Sequence, residues 1–177
     1  MIDAYNWAAL FGEIFVDCCE AYEEGENDYN TWFEAEDLAF LESIGCKPRE
    51  LFDFVEDCVN AEGGEPTPET ALLVAAVRRD CFLIEQDGVA STRVVAPAAL
   101  PAKTEALDGI VWLPRIIAKA EAKLRGEMDP EIMFGCGGDR AFLSEHKIHL
   151  ADFLRAIWAA KGDTQRIVHF VKTGKWA

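Results

Sequence analysis

The chain has 177 residues, half of them hydrophobic and 28% charged, enough apolar material for a buried core and too much for wholesale disorder. Seventeen Lys and Arg stand against 32 Asp and Glu, a net charge of −15 with a pI near 4.5, which argues against a nucleic-acid binder or an anionic-membrane binder. No stretch approaches the roughly 18 consecutive apolar residues of a membrane span, and Met1-Ile2-Asp3 lacks the basic flank and apolar core of a signal peptide.

In chain order, apolar residues at three- and four-residue steps dominate. Trp7, Leu10, Phe11, Ile14, Phe15, Cys18 and Tyr22 form one stripe of an amphipathic first helix. Gly25 stands where that helix stops. Asn30 is a candidate cap for a second helix carrying Trp32, Phe33, Leu38, Phe40, Leu41 and Ile44, which Gly45 ends. Lys47-Pro48 opens a third, because proline is tolerated where its missing N–H is not needed; Leu51, Phe52, Val55, Cys58 and Val59 give its apolar side. Residues 61–67 are a break. Thr67 then caps a fourth helix, with Pro68 and Glu69 in its first turn and Leu73, Val77, Cys81 and Ile84 on one face, running to about Asp87 before Gly88.

Residues 88–106 form a long connection containing Pro97 and Pro101. Val94-Val95 either makes a short extended piece or the segment packs across helices. From Asp108 a helical pattern resumes through Ile110, Leu113, Ile117, Ala120 and Leu124 to Gly126. Pro114 either kinks this helix or moves its start to Leu113. Pro130 begins a short helical turn leading to Gly135-Cys136-Gly137-Gly138. Asp139 is the expected N-cap of a helix with Phe142 and Leu143, and His149 or Ile148 precedes one with Phe153, Leu154, Ile157 and Trp158. After Gly162, Asp163 caps a last helix with Ile167, Val168 and Val171, closed by Gly174. The expected fold is all-α, one helical domain over 1–177 built as a compact bundle of roughly seven to nine helices.

Charge and thiols are unevenly placed. Residues 1–65 hold 18 acidic and two basic groups, Lys47 and Arg49, for a net −16, so residues 66–177 are near neutral at +1. The acidic third either recruits a basic partner, docks on the chain's own Arg115/Lys119/Lys123 row, or is a solvated face that aids solubility. Six cysteines, at 18, 19, 46, 58, 81 and 136, contain no C-x-x-C and no zinc-ligand spacing. Free thiols in a reducing cytoplasm fit them better than a disulfide framework.

Asp37-Leu-Ala-Phe-Leu41 and Asp139-Arg-Ala-Phe-Leu143 share four of five residues, and the same shift of 102 positions aligns Leu51 with Phe153 and Val55 with Ile157. Each copy would be an αα-hairpin whose apolar faces must meet. Duplication and chance likeness between amphipathic helices both remain open on these residues.

Few residues are arranged for chemistry. In Gly135-Cys-Gly-Gly-Asp-Arg140 the glycines allow close backbone approach, and the following helix N-terminus offers N–H groups to an anion. Arg115, Lys119 and Arg140 could add charge there, while Asp139 as cap would repel a second anion. Cys136 is the thiol to test as reactive, beside a helix N-terminus and an arginine. Arg115, Lys119 and Lys123 share one helical face, either solvated or internally paired. His146 and His149 are separated by a turn and lack a third ligand, and His169 is expected partly buried. No metal or cofactor is expected, and no hydrolase, zinc-protease or phosphate-loop motif is present.

Gly109-Ile-Val-Trp-Leu-Pro-Arg115, Lys119-Ala-Glu-Ala-Lys-Leu-Arg-Gly126 and Gly135-Cys-Gly-Gly-Asp-Arg-Ala-Phe-Leu143 resemble the signature of an uncharacterised bacterial domain-of-unknown-function family, over about 107–171. The resemblance implies a small bacterial helical domain and transfers no mechanism. With no catalytic constellation, the expected function is a cytoplasmic, non-enzymatic binding or protein-interaction module acting through a groove or the acidic N-terminal surface. The alternative is a small-molecule or anion site, conceivably enzymatic, formed by Arg115, Lys119, Cys136, Asp139 and Arg140.

Overall fold

Capping chemistry and apolar periodicity produce eight α-helices and one small hairpin in the computed structural model, which describes residues 5–61 and 64–176. The fold is mostly α, with the helix number inside the expected range. Among the described residues no helix is long and apolar enough to cross a membrane. The chain divides into two compact units, Met1–Ala90 and Ser91–Ala177.

The first unit contains α1 (Trp7–Glu23), α2 (Ala35–Ser43), α3 (Pro48–Asn60) and α4 (Pro68–Glu85). Helix α1 packs on α3 and α4 and buries Phe11, Phe15 and Cys18 against a core that includes Leu41, Leu51, Val55 and Val74. Asn30 does not cap α2. Asp28 instead caps a short 3₁₀ turn at Tyr29–Thr31, and α2 begins behind Glu34, whose backbone N–H donates to Asp37 at 3.0 Å in a reciprocal capping box. Thr67 caps α4 as expected, accepting from Thr70 N at 3.1 Å. Val77 and Cys81 of the expected α4 stripe are buried, but Leu73 is half-buried and Ile84 exposed, and Val74 and Arg78 lie inside as well. The arginine's guanidinium stands 5.0 Å from the Phe82 ring centroid, a polar member of the buried face that a stripe drawn through apolar residues alone leaves out.

Burial pushes the Cys18 thiol up to about 12, with Cys19, Asp17 and Asp37 adding to it. Burial does the same at Cys19, again to about 12, followed by its neighbour Cys58. All six cysteines are free. At pH 8 the thiolate fraction at Cys18 and Cys19 is therefore on the order of 10⁻⁴. Iodoacetamide at that pH is expected to leave both unmodified in the native protein and to label them once urea is added, as peptide mass mapping will read. Rapid native labelling of Cys18 or Cys19 would show that α1 opens readily.

In the second unit, the connection runs to a hairpin and then to α5 (Leu113–Arg125), α6 (Gly137–Glu145), α7 (Leu150–Ala160) and α8 (Thr164–Thr173). Val95 makes the short extended contact, pairing with Met128 and donating its N–H to Glu127 O at 2.7 Å. Ser91 Oγ and Arg125 Nε bond the Glu127 carboxylate at 2.8 and 2.9 Å. Burial pushes that carboxyl upward, but these hydrogen bonds and the charges of Arg125 and Arg93 outweigh it and hold Glu127 below the usual carboxylate range. Residues 108–111 are not helical. Ala106–Leu107 (β1) pairs antiparallel with Ile110–Val111 (β2), and Asp108 (φ +51°) and Gly109 (φ +80°) form the two-residue turn that an Asp-Gly step favours. Helix α5 accordingly starts at Leu113 with Pro114 in its first turn, the second of the two expected outcomes. Pro130 begins a plain turn and no helix.

Helices α1–α3 and α5–α7 correspond in sequence position, while α4 and α8 do not. Shifted by 102 positions, α2 falls on α6 at both ends, α3 and α7 start together, and α1 and α5 end together. Gly45 and Lys147 both have positive φ, at +68° and +57°. Their turns carry the same bonds: Gly45 N to Glu42 O and Cys46 N to Leu41 O, against Lys147 N to Ser144 O and Ile148 N to Leu143 O, a Schellman motif each time. Phe11, Phe15, Cys18, Leu41, Leu51 and Val55 match Leu113, Ile117, Ala120, Leu143, Phe153 and Ile157, all buried.

Candidate functional site

Four of the five candidate residues meet at the α5–α6 corner, and the fifth does not. Lys119, expected on a solvated or paired face of α5, is paired: it is 4% exposed, and Asp139 is 0% exposed. Its ammonium forms a buried ion pair with the Asp139 carboxylate and donates to Cys136 Sγ at 3.2 Å. Lys123, one turn on, is buried as well. The same Asp139 carboxylate accepts from Gly135 N at 2.9 Å and from Trp112 Nε1 at 3.0 Å. Arg140 Nη1 closes the corner by donating to Gly135 O at 2.6 Å. Arg115 points elsewhere, to Pro101 O at 2.8 Å.

Asp139 is not the N-cap. Cys136 occupies that position and Gly137 and Gly138 open the helix, which leaves Asp139 in the first turn, where its negative charge suits the positive end of the helix dipole. The glycines answer to packing as well as to turning. Gly135 has φ +94°, and a Cβ on Gly138 would come within 2.7 Å of the Trp112 ring. Trp112 therefore lies against Gly138 and bonds Asp139. Since the carboxylate already holds three donors and the ammonium two acceptors, the corner is a closed polar knot that fixes α5 to α6.

The histidines have local roles. His149 caps α7, its Nδ1 accepting from Ala151 N at 3.2 Å, while His146 packs on Phe142 with ring centroids 4.6 Å apart. His169 is exposed rather than partly buried. Among the described residues no three His, Cys, Asp or Glu side chains are grouped to hold a metal ion.

Two surfaces carry what the corner does not. On α1 and its C-cap, Glu13, Asp17, Glu20 and Glu24 are exposed at steps of four, three and four, one helical face. No basic residue stands in the last turn of α1. On the second unit a cleft lies along α7 and α8, lined by residues that include Lys147, Arg155 and Trp176; sequence reading missed it, because none of its members forms a motif. No protein-family model, curated protein or solved structure matches this chain.

Proposed function

We propose that the chain is a non-enzymatic interaction module whose acidic α1 face takes a basic, extended segment of a partner protein. The observation that carries this reading is an inversion of charge between matching helices. At the shift of 102, Arg115 and Lys119 of α5 correspond to Glu13 and Asp17 of α1. In the second unit the two cations are met by a main-chain carbonyl and a buried carboxylate. In the first unit the same steps are carboxylates facing solvent. Those carboxylates are unfavourable for the helix itself. Like charges four apart repel, and Glu20, Glu23 and Glu24 crowd the negative end of the dipole. A basic segment laid along α1 would relieve both effects. The closed corner at Gly135–Arg140 gives no comparable reason to prefer a small-molecule site there.

The test is titration of the full chain with a short Arg- and Lys-rich peptide at low and high salt, read by fluorescence anisotropy. Changing Glu13, Asp17, Glu20 and Glu24 to their amides is expected to weaken binding roughly tenfold and to raise stability by about 0.5–1 kcal/mol. A charge-matched variant, with Glu36, Glu42, Glu69 and Glu145 changed to Gln, should bind as the parent does. Equal weakening in both variants would reduce the attraction to overall net charge and overturn the proposal.

A further inference from the structure

The second unit carries a cleft of about 420 Å³, within the range that small ligands occupy. Helix α7 contributes Asp152, Arg155, Ala156 and Ala159 to it, and the turn before α7 contributes Lys147 and His149. The remaining side is aromatic, Phe170 and Trp176. Trp176 lies beyond the last helix but is held: its ring meets Phe170 edge-on at 5.6 Å, and the Arg166 guanidinium stands 4.8 Å from its centroid. Lys175 N also donates to Thr173 Oγ1 at 3.1 Å, which orders the chain leading to it.

The matching place in the first unit is filled. Lys147 corresponds to Gly45 and Ala156 to Phe54. Phe54 is buried, and the Phe82 ring lies so close to Gly45 that a Cβ there would come within 2.7 Å of it. The first unit thus buries a phenylalanine, Phe54, at the position where the second holds Ala156 beside open space. Around that space stand two cations, Lys147 and Arg155, and one anion, Asp152. The last is already engaged by Arg155 Nη1 at 2.8 Å, so the cleft is net positive in a chain of net charge −15.

The geometry points to this cleft as a binding site for a small aromatic carboxylate. Its ring takes the space that phenylalanine fills in the first unit, beside Trp176 and Phe170, and its carboxylate meets Lys147 and the remaining N–H groups of Arg155. The site is independent of the acidic α1 face, so failure of either proposal leaves the other standing.

Titration of the full chain with 2-naphthoate, followed at the Trp176 indole N–H resonance assigned through Trp176→Phe, tests it. A saturable shift is expected, with Kd on the order of a millimolar or tighter. The uncharged 2-naphthamide should bind at least about fivefold more weakly. Lys147→Gly suits the positive φ of that turn and should keep or raise the thermal midpoint while weakening 2-naphthoate about threefold. Ala156→Phe, which restores the plug of the first unit, should abolish binding in a folded protein. Absence of a saturable shift, equal affinity for acid and amide, or unchanged binding in folded Lys147→Gly or Ala156→Phe would each overturn the assignment.

Discussion

Lys119→Met is expected to destabilise the protein by about 3–5 kcal/mol, the range seen when one member of a buried ion pair is removed. The cost comes from what is left behind. The Asp139 carboxylate, fully buried, would keep the Gly135 N–H and Trp112 indole as donors but lose its counter-charge. Asp139→Ala should cost at least as much, because it strands the ammonium, an indole N–H and a backbone N–H together. A double-mutant cycle separates the pair from its parts. In Lys119→Met/Asp139→Ala no uncompensated charge is buried, so the part of the loss due to a stranded charge should return, while the Trp112 indole and Gly135 N–H stay unpaired. Urea unfolding of the four proteins gives the coupling. A single-mutant loss below about 1 kcal/mol would show that water reaches the corner and that the pair behaves as a surface one.

The second large effect belongs to Gly45→Ala. At φ +68° an L side chain is strained, about 1–2 kcal/mol, and the new Cβ would meet the Phe82 ring within 2.7 Å. Forcing a ring aside in a close-packed core adds roughly 1–3 kcal/mol, so a total of about 2–5 kcal/mol is expected in urea unfolding. The equivalent change in the other unit, Lys147→Ala, serves as its control. That turn has the same backbone bonds and φ +57° yet already carries a side chain, and the substitution should stay within about 0.5 kcal/mol. A Gly45→Ala loss no larger than about 1–2 kcal/mol would mean that backbone strain alone, rather than the ring against Gly45, explains the glycine.

Helix existence was legible because it is written locally. Thr67, Asp163 and His149 cap the helices they precede, and Pro48, Pro68 and Pro114 sit in first turns, so neighbouring residues alone decide the boundaries. The short repeat at Asp37 and Asp139 was legible for the same reason, and the coincident helix ends extend it over α1–α3 and α5–α7. Failures arose where a distant group decides. At Asp108-Gly109 the helical stripe through Ile110 hid a two-residue hairpin turn. Asp139 was read as a cap because the partners of its carboxylate lie 20 and 27 residues upstream at Lys119 and Trp112. Arg115 was assigned to the corner by spacing on its helix, and a main-chain carbonyl in the preceding connection claims it instead. The cleft gave no signal of its own, since Ala156 and Ala159 read as ordinary helix formers. Only alignment of the two copies, setting Ala156 against Phe54, points to a missing ring.

The loop amide that enters the polar knot has a measurable signature. Gly135 N–H sits outside every helix, where hydrogen–deuterium exchange is ordinarily fast, yet it donates to a carboxylate that solvent does not touch. Its exchange can then proceed only by opening events that free α6 from α5, and its protection factor should approach those of the neighbouring core helices. In a time course this glycine would stay dark with the slowest amides, a single non-helical reporter of when the second unit comes apart.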